Sequence, residues 1–123
     1  MTTVRQWFKA QGWKPQTFQK ECWKAYEEGK NGMLHAPTGS GKTYALWGGI
    51  LHEALKTKKH AVGVQALWIT PLRALAVEIQ QATQRITSDL QPDLKVALRT
   101  GDTSQSERAK QKRKPSFGLV TTP

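Results

Sequence analysis

Ala36-Pro37-Thr38-Gly39-Ser40-Gly41-Lys42-Thr43 matches the phosphate-loop (Walker A) pattern, with Ala36 standing where the pattern carries its first glycine. Working outward, Met33-Leu34-His35 is a very short buried-strand candidate, and residues 42–56 carry Leu46, Trp47, Ile50, Leu51, Ala54 and Leu55 on one helical stripe. Strand, loop and helix therefore follow in the order the motif requires. Each residue type has a chemical reason. Gly39 and Gly41 let the backbone bend so that successive N–H groups converge on phosphate oxygens. The helix opening at Lys42 turns its positive dipole end to the same point. The Lys42 ammonium reaches β and γ phosphates, and the Thr43 hydroxyl suits Mg2+. Pro37, Thr38, Gly39, Ser40, Gly41, Lys42 and Thr43 are accordingly the candidate binding residues for ATP. Lys42 and Thr43 are the catalytic candidates, and Thr43 is the metal ligand.

The rest of the chain supplies a frame for such a loop. Val4, Trp7 and Phe8 keep helical spacing until Gly12-Trp13-Lys14-Pro15 breaks it. Gln16 to Glu28 forms a second helix with Phe18, Cys22, Ala25 and Tyr26 on its apolar face, closed by Gly29. Val64 to Thr70, Asp93 to Arg99 and Phe117 to Thr121 have the pattern of strands. Helical spacing resumes from Ala74 through Leu75, Ala76, Ile79, Ala82 and Ile86. Ser104 to Lys114 is polar and strongly basic. Strands alternating with helices predict an α/β domain with a parallel sheet. Gly48-Gly49 costs about 1 kcal/mol per glycine in a helix relative to alanine, so close packing against the sheet is the expected reason. Four short strands are few for a doubly wound domain, so the 123 residues are expected to be a truncated domain, residues 1–123 being its N-terminal portion.

The charge balance points to a polyanion. Nineteen basic residues against nine acidic ones give a net charge of +10, which suits nucleic acid or an anionic membrane, with nucleic acid favoured over a merely soluble basic surface. The longest apolar stretches, such as Ala66-Leu67-Trp68-Ile69, are far short of a bilayer-spanning helix, and no apolar segment follows the N-terminus. The single cysteine, Cys22, excludes an internal disulfide and suits a cytoplasmic setting. His35, His52 and His60 share no metal-ligand spacing, so no zinc is expected. Trp23, Trp47 and Trp68 belong with apolar stripes and are expected in the core, while Trp7 and Trp13 are open to a base-stacking role.

Three strand ends carry the second set of candidates. Thr70-Pro71-Leu72-Arg73, Thr100-Gly101-Asp102 and Thr121-Thr122-Pro123 each follow a strand. Ligands of open parallel sheets bind at such ends, and hydroxyls, amides and an arginine there suit a phosphodiester backbone. The same residues also satisfy ordinary turn chemistry. The run Arg108 to Lys114, five cations in seven residues, is either a solvated face or an added nucleic-acid contact. None of the nine acidic residues ends an apolar strand as an Asp-Glu pair, so the chain is expected to bind ATP with Mg2+ yet to hydrolyse it very poorly.

Taken in order, these motifs resemble the first RecA-like lobe of superfamily-two DNA helicases, a three-layer P-loop NTPase sandwich. Pro15 and Gln19 are similar to the adenine-reading Q motif, which implies that the Gln19 amide contacts the adenine edge. Residues 36–43 resemble motif I, and Thr70 to Ala76 resembles motif Ia. Arg99-Thr100-Gly101-Asp102-Thr103 and Thr121-Thr122-Pro123 resemble the next backbone-gripping motifs. Ile69 to Ala76 together with Arg99 to Thr103 is most similar to the Lhr-type branch and its ligase-associated DEXH-box helicases. The resemblance implies an ATP-dependent 3′-to-5′ DNA translocase of DNA repair, nucleoid-associated in a bacterial cytoplasm, with partners such as a ligase and no membrane. It implies that Pro71, Arg73, Thr100, Gly101, Thr121 and Thr122 grip nucleic acid. The DEXH motif and the second lobe are not in the sequence, which implies that the fragment alone is inactive. Two other readings of the residues stay open: a basic nucleic-acid-binding fragment without ATPase activity, and another class of P-loop NTPase.

Overall fold

Thr3 opens the first helix with a reciprocal cap: its hydroxyl accepts the Gln6 N–H at 3.2 Å, and the Gln6 side chain accepts the Thr3 N–H at 2.8 Å. The computed structural model describes residues 3–37, 41–57 and 60–123. They fall into two compact units, Met1–Lys59 and His60–Pro123.

The first unit is helical: α1 (Val4–Ala10), α2 (Thr17–Glu27) and α3 (Lys42–Lys56). α2 begins with a cap of the same kind, the Gln16 N–H donating to Gln19 Oε1 at 2.9 Å. Val4, Trp7 and Phe8 of α1, Trp23 of α2, and Trp47 and Leu51 of α3 make the core. Trp7, Phe8, Trp13 and Tyr44 stack edge-on or tilted at 5.6–5.9 Å between ring centroids, a packing that adds about 0.5–1.5 kcal/mol per pair beyond buried area. Trp7 is therefore a core residue, not a base-stacking one, whereas Trp13 is 42% exposed at the cluster's rim.

One expectation for this unit is corrected. Residues 33–35 form no strand, and Met33 is 91% exposed. A strand persists only where a neighbour completes its hydrogen bonds, and the sheet among the described residues does not include this segment. Gly48-Gly49 packs closely against α2. A Cβ at Gly48 would overlap the Trp23 indole, and one at Gly49 would lie 2.9 Å from Tyr26 Cβ. The buried face of α2 is Gln19 and Trp23, while Phe18, Cys22, Ala25 and Tyr26 line an open groove of about 590 Å3 with Met33 and Leu34.

The second unit is α/β: β1 (Ala66–Ile69), α4 (Arg73–Leu90), β2 (Val96–Arg99), α5 (Gln105–Arg113) and β3 (Gly118–Thr121). The sheet is wholly parallel with order β1-β3-β2, as the alternation of elements predicts. β3 is central, with Val120 fully buried. α4 is tied to β2 by side chains: Gln80 Nε2 donates to the Val96 carbonyl and the Val96 N–H donates to Gln84 Oε1, both at 2.8 Å. The buried stripe of α4 includes Thr83 and Thr87, whose hydroxyls donate to the carbonyls of Ile79 and Thr83 at 2.7 and 2.6 Å. Their polarity is thus satisfied one turn back within the helix. Trp68 is half-buried rather than core.

The basic stretch after residue 104 is a helix. Ser104 caps it by accepting the Glu107 N–H at 3.2 Å. Glu107 sits in its first turn and Lys110, Lys112 and Arg113 in its last, as the helix dipole favours. The Ser-x-x-Glu spacing at 104–107 was the available sequence signal.

Candidate nucleotide-binding and nucleic-acid-binding sites

α3 starts where the phosphate loop ends. Gly41 is its N-cap, with φ +92° and ψ 27°, a left-handed conformation natural to glycine. Space demands glycine as well, since a Cβ there would stand 2.5 Å from Gln19 Nε2. Lys42 and Thr43 are the first two residues of α3 and are half-exposed. The first turn carries no acidic side chain to repel an anion. Its N–H groups have no carbonyl one turn back within the helix. Helix dipole, first-turn amides, ammonium and hydroxyl are thus collected at one point, the arrangement that binds phosphate. Pro37 is exposed on the other flank, and Thr38, Gly39 and Ser40 lie outside the described residues.

Gln19 is buried at 3% exposure, and its amide is held inside the protein. Oε1 accepts the Gln16 N–H, and Nε2 donates to the Gly41 carbonyl at 3.1 Å. This side chain therefore joins the start of α2 to the start of α3. Beside it, Trp23 Nε1 donates to the Tyr44 carbonyl at 2.9 Å. A buried tryptophan on an apolar face reads from sequence as core alone, and the Gly48 opposite was the one hint of closer contact.

In the second unit the strand register aligns Ile69 with Thr121 and Thr121 with Arg99. The segments that follow β1, β2 and β3 therefore leave the sheet at one level, as expected. Arg73 is the first residue of α4, and its guanidinium donates to Asp102 Oδ1 at 2.9 Å, with both side chains mostly exposed. Gly101 makes room for this crossing, since a Cβ there would lie 2.9 Å from Arg73 Cζ. Pro71 is exposed one residue before the α4 cap, Leu72.

The threonine hydroxyls mostly shape the backbone. Thr100 Oγ1 accepts the Asp102 N–H at 3.1 Å, and Thr121 Oγ1 donates to the Arg99 carbonyl at 2.6 Å. Thr122 is half-exposed beyond them. Arg108, from the basic run, turns inward and donates to the carbonyls of Thr100 and Thr103 at 2.7 and 3.2 Å. It braces the 100–103 turn, whereas Lys112, Arg113 and Lys114 face solvent. The pairing of Arg73 with Asp102 and the inward turn of Arg108 carried no sequence signal, because both depend on where separate elements meet.

Residues 16–123 match the DEAD/DEAH box helicase family. The Lhr helicase/probable uracil glycosylase of Mycolicibacterium smegmatis is 34% identical over 98% of the chain, which covers 9% of that protein. The ATP-dependent helicase Lhr-Core of Methanocaldococcus jannaschii is 32% identical over 98% of the chain, which covers 16% of that protein. The structure of the Mycobacterium smegmatis helicase Lhr bound to ssDNA and AMP-PNP superposes with a TM-score of 0.75, at 29% identity, over 99% of this chain and 17% of that one. The α/β architecture with its parallel sheet is that of RecA-like helicase domains. The chain belongs to the DEAD/DEAH box helicase family.

Proposed function

We propose that this chain is the nucleotide-binding portion of the first RecA-like lobe of an ATP-dependent DNA helicase of the Lhr type. The observation that carries the reading is the opening of α3: a left-handed Gly41 followed at once by Lys42 and Thr43, with no carboxylate in the first turn. The donor set fits a metal-bound triphosphate, a hydroxyl for the cation beside an ammonium for the phosphates. Mg2+, when bound, would supply charge neutralisation at the phosphates. Thr43 would hold the metal, Lys42 would hold the phosphates, and the amides of the first turn would orient the tail. Gln19, its Oε1 and Nε2 bonded to the Gln16 N–H and the Gly41 carbonyl, ties the start of α2 to this turn, and its proposed ligand contact is with the adenine edge.

The aligned strand ends are the proposed grip on DNA. Arg73 supplies the cation, and the 100–103 turn with Thr121 and Thr122 supplies amides and small side chains beside it. The relative solved with ssDNA and AMP-PNP supports both ligands. In the full protein, alternating grip would drive 3′-to-5′ travel in DNA repair at the bacterial nucleoid, with a ligase as a natural partner. With no carboxylate pair ending a strand, the piece by itself binds ATP and turns it over poorly.

Nucleotide-dependent melting tests this. ATP with Mg2+ at about 100 times its Kd adds about 2.7 kcal/mol to folding stability, and Lys42→Ala abolishes most of the gain. A wild-type melting temperature that ignores ATP and Mg2+ would refute the nucleotide reading.

A further inference from the structure

We infer that Trp23 is a positioning residue for the phosphate-binding turn: its indole N–H fixes the first turn of α3, and together with Gln19 it brackets Lys42 and Thr43. The inference rests on the nucleotide-binding reading above and deepens it, by giving α2 a direct hold on the groups that would meet the triphosphate.

Gln19 and Trp23 lie one turn apart on the buried face of α2, each 3% exposed. Gln19 Nε2 donates to the Gly41 carbonyl at 3.1 Å and Trp23 Nε1 to the Tyr44 carbonyl at 2.9 Å. Those two carbonyls flank Lys42 and Thr43 in the chain. The helical ladder assigns the Tyr44 carbonyl to the N–H of residue 48. Residue 48 is a glycine, and a Cβ there would overlap Nε1 and lie 2.7 Å from Cε2 of Trp23. The indole thus enters through a gap that only glycine leaves open and shares an acceptor within the first turn.

The indole is itself fixed. Phe8 and His52 meet it edge-on, each at 5.4 Å between centroids, and the Arg5 guanidinium lies 5.7 Å from its ring centre. Bulk alone would require neither this acceptor nor this glycine. A donor held so rigidly against the first turn sets the direction of its amides and the root of the Lys42 side chain, and phosphate binding is sensitive to both.

Trp23→Phe in the 123-residue chain keeps a buried aromatic ring and removes the donor. Calorimetric titration well below the melting midpoint would give Kd for ATP with Mg2+ and for inorganic tripolyphosphate. Loss of one hydrogen bond's worth of preorganisation weakens both by about 5–10-fold. An equal loss for tripolyphosphate places the effect at the phosphate turn and not at the base. Gly48→Ala, which pushes the indole off its acceptor, weakens both ligands in the same way and decides the matter if Trp23→Phe does not fold. A variant that melts earlier yet keeps both Kd values unchanged would overturn the inference and leave nucleotide binding standing. A wild-type chain that binds neither ligand would overturn both.

Discussion

Gly48→Ala separates helix propensity from packing, because the two give opposite signs. Residue 48 lies inside α3, where alanine is favoured over glycine by about 1 kcal/mol. Propensity alone therefore predicts a more stable protein. The structure places the Trp23 indole where the new methyl group would go, 2.7 Å from Cε2. Trp23 has little room to retreat, with Phe8 and His52 both packed against it at 5.4 Å. Overpacking of such a site costs about 1–3 kcal/mol, and the lost bond to the Tyr44 carbonyl costs about 1 kcal/mol more. After the propensity gain, the net expectation is a loss of about 1–3 kcal/mol. For a chain of this size that is a fall in Tm of about 4–12 °C. Thermal and urea melts followed by far-UV circular dichroism measure it. Gly49→Ala is a parallel test. Its methyl would lie 2.9 Å from Tyr26 Cβ, an atom that side-chain rotation does not move, so α2 must shift slightly and the loss has the same sign. A Gly48→Ala protein that melts higher than the wild type would refute the packing account of α2 against α3.

Other substitutions test the second unit and the pH response. Arg108→Ala removes two bonds to the 100–103 turn and lowers stability by about 1–2 kcal/mol, whereas Lys112→Ala on the solvent face stays within about 0.5 kcal/mol, both read from urea midpoints. Arg73→Ala weakens DNA binding and flattens the log–log salt slope by about one. Asp102→Ala frees the Arg73 guanidinium from an exposed ion pair worth at most about 1 kcal/mol, so DNA binding tightens by up to about fivefold in a filter-binding or anisotropy titration. Burial, then the charges of Arg5 and Lys56, hold the His52 imidazole below its ordinary range against the opposing pull of Glu27. The unfolded chain therefore takes up that proton first as pH falls. The His52 contribution is complete above the ordinary histidine pKa of about 6.5 and is lost below it. Urea midpoints at two pH values on either side of that point differ less in His52→Gln than in the wild type.

Much of this protein is legible in its sequence because periodicity and turn chemistry are local. The bounds of α2 and α3 agree with the expected helices to within a residue, and the strand ends that carry Thr70, Thr100 and Thr121 fall where hydroxyl-rich turns interrupt apolar runs. What escaped was set by partners distant in the chain. Residues 33–35 are apolar enough for a strand but gain no neighbour to pair with among the described residues. Gly48-Gly49 signals close packing, yet the glycines alone do not say whether a sheet or a helix is the neighbour, and here it is Trp23 and Tyr26 of α2. Phe18, Cys22, Ala25 and Tyr26 share one face of α2 as their spacing indicates, but that face lines an open groove, and the burial of the polar Gln19 through two hydrogen bonds carried no sequence signal. Composition hid α5, whose side chains are almost all polar and which contributes no buried residue.

The central claim is that the turn into α3 encloses a nucleotide's triphosphate. Phosphorus NMR of ATP with Mg2+ in the presence of the chain addresses it atom by atom. The account predicts that the β and γ resonances shift and broaden with the wild type and return to their free positions with Lys42→Ala. Identical spectra with the two proteins at concentrations high enough to saturate a site would contradict it.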